Sequence, residues 1–136
     1  MKSALCDVNF FLDIFLEREP FYSPAAKLFA RVEKRQVRGY ICSLTFPILF
    51  YLLSKEMGRV KAAKTLEKIR IVFEVAPVDQ KVIDLSLASD FKDFEDAVQY
   101  YSAMEAGASC LISRNRKDFT DKSVPVLTPE EFLAIK

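Results

Sequence analysis

Short apolar runs alternate along this chain with segments whose apolar residues recur at helical spacing, and that alternation restricts the possible folds more than any other feature. SALCD (3–7) leads into NFFLDIFLER, and GYICS (39–43) leads into TFPILFYLLSKEM and GRVKAAKTLEKIR. IVFEVAPV (71–78) leads into DQKVIDLSLA, the acidic stretch DFKDFEDAVQYYSAMEAG (90–107) leads into ASCLIS (108–113), and VPVL leads into PEEFLAI. Between the first two runs, SPAAKLFARVEKRQ offers Ser23 as an N-cap and Pro24 at the first helical position, so a further helix is expected there, ending near Gly39. Apolar strands joined by helices predict an α/β fold: a parallel sheet of about four to five strands with helices on both faces. With no internal repeat and no linker, the expectation is one domain over residues 1–136.

A chain of 136 residues can bury a core without disulfides or a structural metal. Its 20 basic and 19 acidic residues give no global pull toward nucleic acid or an anionic membrane, so any such binding must come from local clusters. The apolar N-terminal stretch carries Asp7 and Asp13 and lacks a small-residue cleavage site, which argues against a signal peptide. CSLTFPILFYLL (42–53) is interrupted by Pro47 and falls short of the roughly 20 residues that cross a bilayer, so a cytoplasmic protein with no membrane segment is expected. Cys6, Cys42 and Cys110 stand singly in predicted strands, where a thiol behaves as a small buried hydrophobe. There is no histidine, which removes Ser-His-Asp, Cys-His and H-E-x-x-H chemistry together. Carboxylates, lysine, hydroxyls and a metal are what remain for catalysis.

In parallel α/β sheets, ligands bind at the carboxyl ends of the strands. Asp7, with Asn9 two residues on, ends the first predicted strand; Arg114, Asn115 and Asp118 follow CLIS; Asp93 and Asp96 open the helix before that strand. At 3.6 residues per turn, Asp96 lies about 100° from the centre of the face shared by Phe94, Ala97, Tyr101 and Met104, at the margin of the buried arc. Glu95 is expected to point into solvent. Asp93 projects nearer the buried side if helical, or caps the helix if it lies just outside; Asp90 and Glu95 read as surface or capping groups.

The first-strand Asp7-Val-Asn9 with FFLD behind it, the SLTFPILFYLLSK helix, DFEDAVQYYSAMEAG and the ending LISRNRKDF together resemble the PIN-domain family of ribonucleases, over essentially the whole chain. That family includes the toxin subunits of toxin–antitoxin pairs. The resemblance implies a three-layer α/β/α sandwich, clustered acids holding one or two divalent cations, and hydrolysis of RNA phosphodiester bonds. It also implies a small antitoxin protein as partner. By position, Asp7 matches the family's first acid and Asp96 the acid that opens the penultimate long helix. Asp118, with Asn115, matches the acid-bearing turn after the fourth strand, and which of those two approaches the metal stays open. The chain departs from the family at Ile48, where a glutamate is common; no carboxylate lies between Glu33 and Glu56.

Oxygen ligands without His or paired Cys favour Mg²⁺ or Mn²⁺. The expected ligands are Asp7, Asp96 and Asp118, with Asp93 as a fourth ligand or water-orienting group and Asn9 in support. Arg114, Arg116 and Lys117 flank the site as candidate RNA contacts. Lys61, Lys64 and Lys68, with Arg59 and Arg70, form a second basic face, and such faces are more often simply solvated. The helix around Ile48 to Leu53 carries more apolar surface than one buried stripe needs, which points to a homodimer. The rival to a ribonuclease is a catalytically weak or inactive RNA- or protein-binding module on the same fold, with Ile48 as its argument.

Overall fold

The computed structural model describes residues 2–116, 119 and 123–135. Its elements run β1 (Ser3–Cys6), α1 (Val8–Phe15), α2 (Tyr22–Glu33), β2 (Arg38–Cys42), α3 (Thr45–Met57), α4 (Arg59–Val72), β3 (Glu74–Ala76), α5 (Gln80–Leu87), α6 (Phe94–Ala106), β4 (Cys110–Ile112), β5 (Val126–Leu127) and α7 (Pro129–Ala134). The strands form one sheet in the order β3-β2-β1-β4-β5, with every pairing parallel. β1 is the middle strand and is buried along its whole length.

Alternation along β1 separates two cores, because successive side chains leave a strand on opposite faces. Ala4 and Cys6 pack with α1, α2, α3, α4 and Phe132 of α7, whereas Leu5 packs with α5 and α6. The expected α/β/α sandwich is therefore the observed one. All three cysteines are free and buried in strands, and among the described residues no helix is long and apolar enough to cross a membrane.

Two boundaries differ from the sequence reading. α2 begins at Tyr22, with Phe21 at its cap, so Ser23 and Pro24 lie inside the first turn. The first N–H groups of a helix have no intrahelical acceptor, so a proline there costs no hydrogen bond. The predicted strand from Ile71 shrinks to Glu74–Ala76, the residues that pair with Tyr40–Cys42, and α4 takes Ile71 and Val72. Ile71 is consequently 81% exposed despite its apolar side chain.

Gly39 in β2 is where α2 and the end of α4 press on the sheet. A Cβ there would lie 2.7 Å from the Phe73 ring and 2.7 Å from Val32 Cγ1, and both side chains are buried. Gly39→Ala is expected to destabilise the fold by about 1–3 kcal/mol, read as a lower urea midpoint at unchanged slope.

Candidate active site

β1 and β4 pair in the register Cys6↔Ile112, and the Asp7 N–H donates to the Ile112 carbonyl at 3.2 Å, extending the ladder by one bond. Asp7 and Ser113 are thus delivered side by side at the carboxyl edge of the two strands. Asp7 stays extended and caps α1, its Oδ1 accepting the Phe10 N–H at 3.0 Å. Ser113 also hydrogen-bonds to the Asp7 carboxylate, and its Oγ accepts the Asn115 N–H at 3.1 Å. Burial nonetheless dominates, raising the Asp7 pKa to about 6; the bonds from Phe10 and Ser113 oppose the shift, Asp13 adds to it, and Arg114 opposes it.

α6 reaches the same edge from the other face. It leads through Gly107 and Ala108 into β4, so it runs back along the sheet with its N-terminus at the strands' carboxyl ends. Gly107, in the left-handed region at φ 74°, closes the helix. Asp93 is the N-cap, its Oδ1 accepting Glu95 N–H at 2.9 Å and Asp96 N–H at 3.3 Å. The alternative of Asp93 as cap is therefore the one observed, and Asp96 stands half-buried in the first turn. Glu95 is exposed as a residue, yet burial of its carboxyl and the Asp93 charge raise its pKa, and its own charge contributes at the Cys42 thiol where β2 ends. It is less detached from the strand ends than the helical angle implies.

Among the described residues, no three His, Cys, Asp or Glu side chains are gathered closely enough to hold a metal ion. Asp118 and Lys117 lie outside the described residues. Their neighbour Phe119 is buried against Phe91 and Tyr100, whose hydroxyl accepts the Val124 N–H at 2.8 Å. Asn9 is half-buried in the first turn of α1. Asn115 and Arg116 are exposed, and Arg116 is paired with Glu131 of α7. Tyr101 belongs to the core beside Tyr100. Ile48 is half-buried against the α1 side of the core.

Asp13 escapes the sequence reading. It is 3% exposed on α1, and Arg114 lies against it, with Nε 3.2 Å from Oδ2 and Nη2 donating to Oδ1 at 3.3 Å. Arg18 approaches at 4.0 Å, and the Arg114 guanidinium stacks over the Phe21 ring at 4.0 Å. Burial raises the Asp13 pKa, and Arg114 followed by Arg18 opposes that. The signal for Asp13 is an acid at the heart of an apolar helix, and that for Ser113 is a hydroxyl ending an apolar strand. Gln99, one turn beyond Asp96, donates from Nε2 to Thr45 Oγ1 at 2.8 Å in the interior, tying α6 to the start of α3.

The raised Asp7 pKa has a stability consequence. Between the ordinary carboxyl value of 3.8 and about 6, the folded chain keeps a proton that the unfolded chain has released, so stability falls as pH rises through that window. The difference corresponds to ~3 kcal/mol lost by neutral pH. Asp7→Asn retains a capping side chain and removes the buried charge. It is expected to raise the urea midpoint at pH 7 and to flatten the dependence of stability on pH between about 4 and 6.

Comparison with known proteins agrees with this architecture. The PIN domain family profile matches residues 3–117. Ribonuclease VapC1 of Aquifex aeolicus is 27% identical over 136 residues, spanning 96% of this chain and 93% of that protein. A toxin–antitoxin complex from Klebsiella pneumoniae contains a chain that superposes with a TM-score of 0.71 at 23% identity, covering 93% of this chain and 98% of its own. VapC20 of Mycobacterium tuberculosis, described as a Sarcin-Ricin loop cleaving toxin, superposes with a TM-score of 0.64 at 16% identity, over 80% of this chain and 87% of that one. With its family profile spanning most of the sequence and its sheet order and helical layers in place, the chain belongs to the PIN-domain family.

Proposed function

We propose that this chain is a divalent-metal-dependent endoribonuclease, acting as one domain over residues 1–136 in the cytoplasm, and that it is the toxin of a toxin–antitoxin pair. The observation that carries the chemistry is the buried Asp7 carboxylate, with its pKa near 6, at the sheet edge to which α6 brings Asp96. A buried anion whose charge is disfavoured is one that a cation relieves. The oxygen-only donor set fits Mg²⁺ or Mn²⁺, held by Asp7, Asp96 and Asp118, with Asn115 the alternative from the turn after β4. Bound there, the ion supplies a water of lowered pKa and neutralises charge developing on the phosphate.

The protein's own groups orient this chemistry. The Phe10 N–H and Ser113 hydroxyl hold the Asp7 carboxylate in one rotamer, and the Gln99–Thr45 bond anchors the first turns of α6 behind Asp96. Asp93 commits Oδ1 to the cap, so a part in holding an ion or orienting water falls to its other oxygen. Asn9 supports the site from α1. Arg114, Arg116 and Lys117 supply RNA contacts.

The Aquifex relative's name supports the ribonuclease reading, and the toxin–antitoxin complexes among the structural neighbours support an antitoxin as partner. On α3, Phe50 and Tyr51 are exposed, Tyr51 at 61%, and this apolar surface supports a homodimer. Phe50→Asp is expected to shift the protein toward monomer in light scattering.

Cleavage of a mixed-sequence single-stranded RNA with Mg²⁺ or Mn²⁺ tests the assignment. Addition of EDTA should abolish cleavage, and Asp96→Asn should lower the rate at least about 100-fold, or ~2.7 kcal/mol of barrier. The same ions should raise the melting temperature of the wild type and leave Asp7→Asn nearly unmoved. A folded protein that cleaves nothing with either metal would instead be a binding module, with Ile48 standing where a ligand is missing.

A further inference from the structure

A cavity of about 150 Å³ opens beside Asp7, between α1, α2 and the start of α7. Its walls are chemically divided. Phe21, Pro24 and Pro129 give flat apolar surface, while Asp7, Asp13 and Glu130 set three carboxylates against the single guanidinium of Arg114. An excess of carboxylates repels a phosphate. A neutral planar group that stacks and carries several N–H donors suits such walls far better.

Arg114 is prepared to meet such a group. The buried Asp13 occupies its Nε and Nη2 side, and Phe21 lies under its plane. Although Nε is 3.2 Å from Asp13 Oδ2, it is buried without the alignment of a hydrogen bond. Nη1 has no bond to any described residue and is left to donate to a ligand acceptor. Glu130, in the same lining, is exposed, while its neighbour Glu131 is the one engaged in the Thr128 capping box and the Arg116 pair. The Glu130 carboxylate therefore offers two acceptors in the same lining that carries the Arg114 donor.

We propose that this cavity seats a guanine base of the RNA substrate, with the Glu130 carboxylate accepting from N1–H and the 2-amino group, Arg114 donating to O6, and Phe21 and Pro24 forming the stacking wall. The assignment rests on the ribonuclease reading and adds base selectivity to it. Because Asp7 lines the same cavity, the seated base belongs to a nucleotide flanking the bond that is cut. A shallower groove shares Pro24 and Glu130 and continues past Ser23 and Lys27, which gives the strand a way out and its next phosphate a cation. Asp13 is a positioning residue here, acting through Arg114.

The test is sequencing of cleavage ends from a randomised single-stranded RNA cut by wild type, Glu130→Gln and Phe21→Ala in Mn²⁺, with thermal melts to confirm folding. The wild type should show guanine enriched at one fixed position next to the cut. Glu130→Gln should lower the guanine preference there about tenfold, because a carboxamide offers a single acceptor oxygen where guanine N1–H and the 2-amino group present two donors. Phe21→Ala should weaken the preference for every base at that position. Cleavage indifferent to the flanking base, or a guanine preference that survives Glu130→Gln, overturns this proposal, leaves the ribonuclease reading standing and makes the cavity available to a protein partner. A wild type that cuts no RNA overturns both.

Discussion

The parallel pairing of β1 with β4 is the constraint on which the rest of the molecule depends. β1 is central, and its register against β4 places the ends of the two strands together, with the Asp7 N–H bonded to the Ile112 carbonyl. A strand buried on both faces must have its hydrogen-bonding edges filled by neighbours, and β2 and β4 fill them. Once that pairing is set, the residues that follow each strand emerge at one rim. Asp7, Ser113 and Arg114 then meet although more than a hundred positions separate the first from the others.

That rim is held at a cost to stability. Asp7 is buried where its charge is disfavoured, and its local hydrogen bonds offset only part of the desolvation. Asp13 is buried as well and its pKa is also raised by burial, but Arg114 pairs with it directly, whereas Asp7 has only local hydrogen bonds and the more distant charge of Arg114 to oppose its desolvation. The contrast is informative because both sit on the same short helix or at its cap. An acid paired with an arginine stiffens the site, whereas for one without a directly paired cation the charged form stays disfavoured.

The crowded acids at the start of α6 divide in a similar way. Asp93 serves the backbone, satisfying N–H groups that the first turn leaves open, and this lets Asp96 enter the helix one turn ahead of the fully buried Gln99. Gln99 is locked to Thr45, so the N-terminus of α6 cannot slide along the sheet without breaking a buried hydrogen bond. Cap and first-turn acid are thus linked, since the Asp93 cap orients the turn that carries Asp96.

Much of this was legible in the residues alone. Apolar runs such as SALCD and GYICS announce buried strands, helical spacing marks the intervening segments, and carboxylates at strand ends mark the rim, because each pattern is a local response to burial or to open backbone groups. The boundary errors have equally local causes: Ile71 and Val72 look like strand, but only Glu74–Ala76 find partners on β2. Asp13 and Ser113 escaped notice because their significance lies in Arg114 and Asp7, partners distant in sequence. By itself, the sequence determined the order and type of the elements and the acids eligible for a site. Tertiary structure alone decided which of those acids is paired, which is left charged and buried, and that a cavity walled by Phe21, Arg114 and Glu130 opens beside Asp7, because pairing and burial depend on strand register and helix packing rather than on neighbours along the chain.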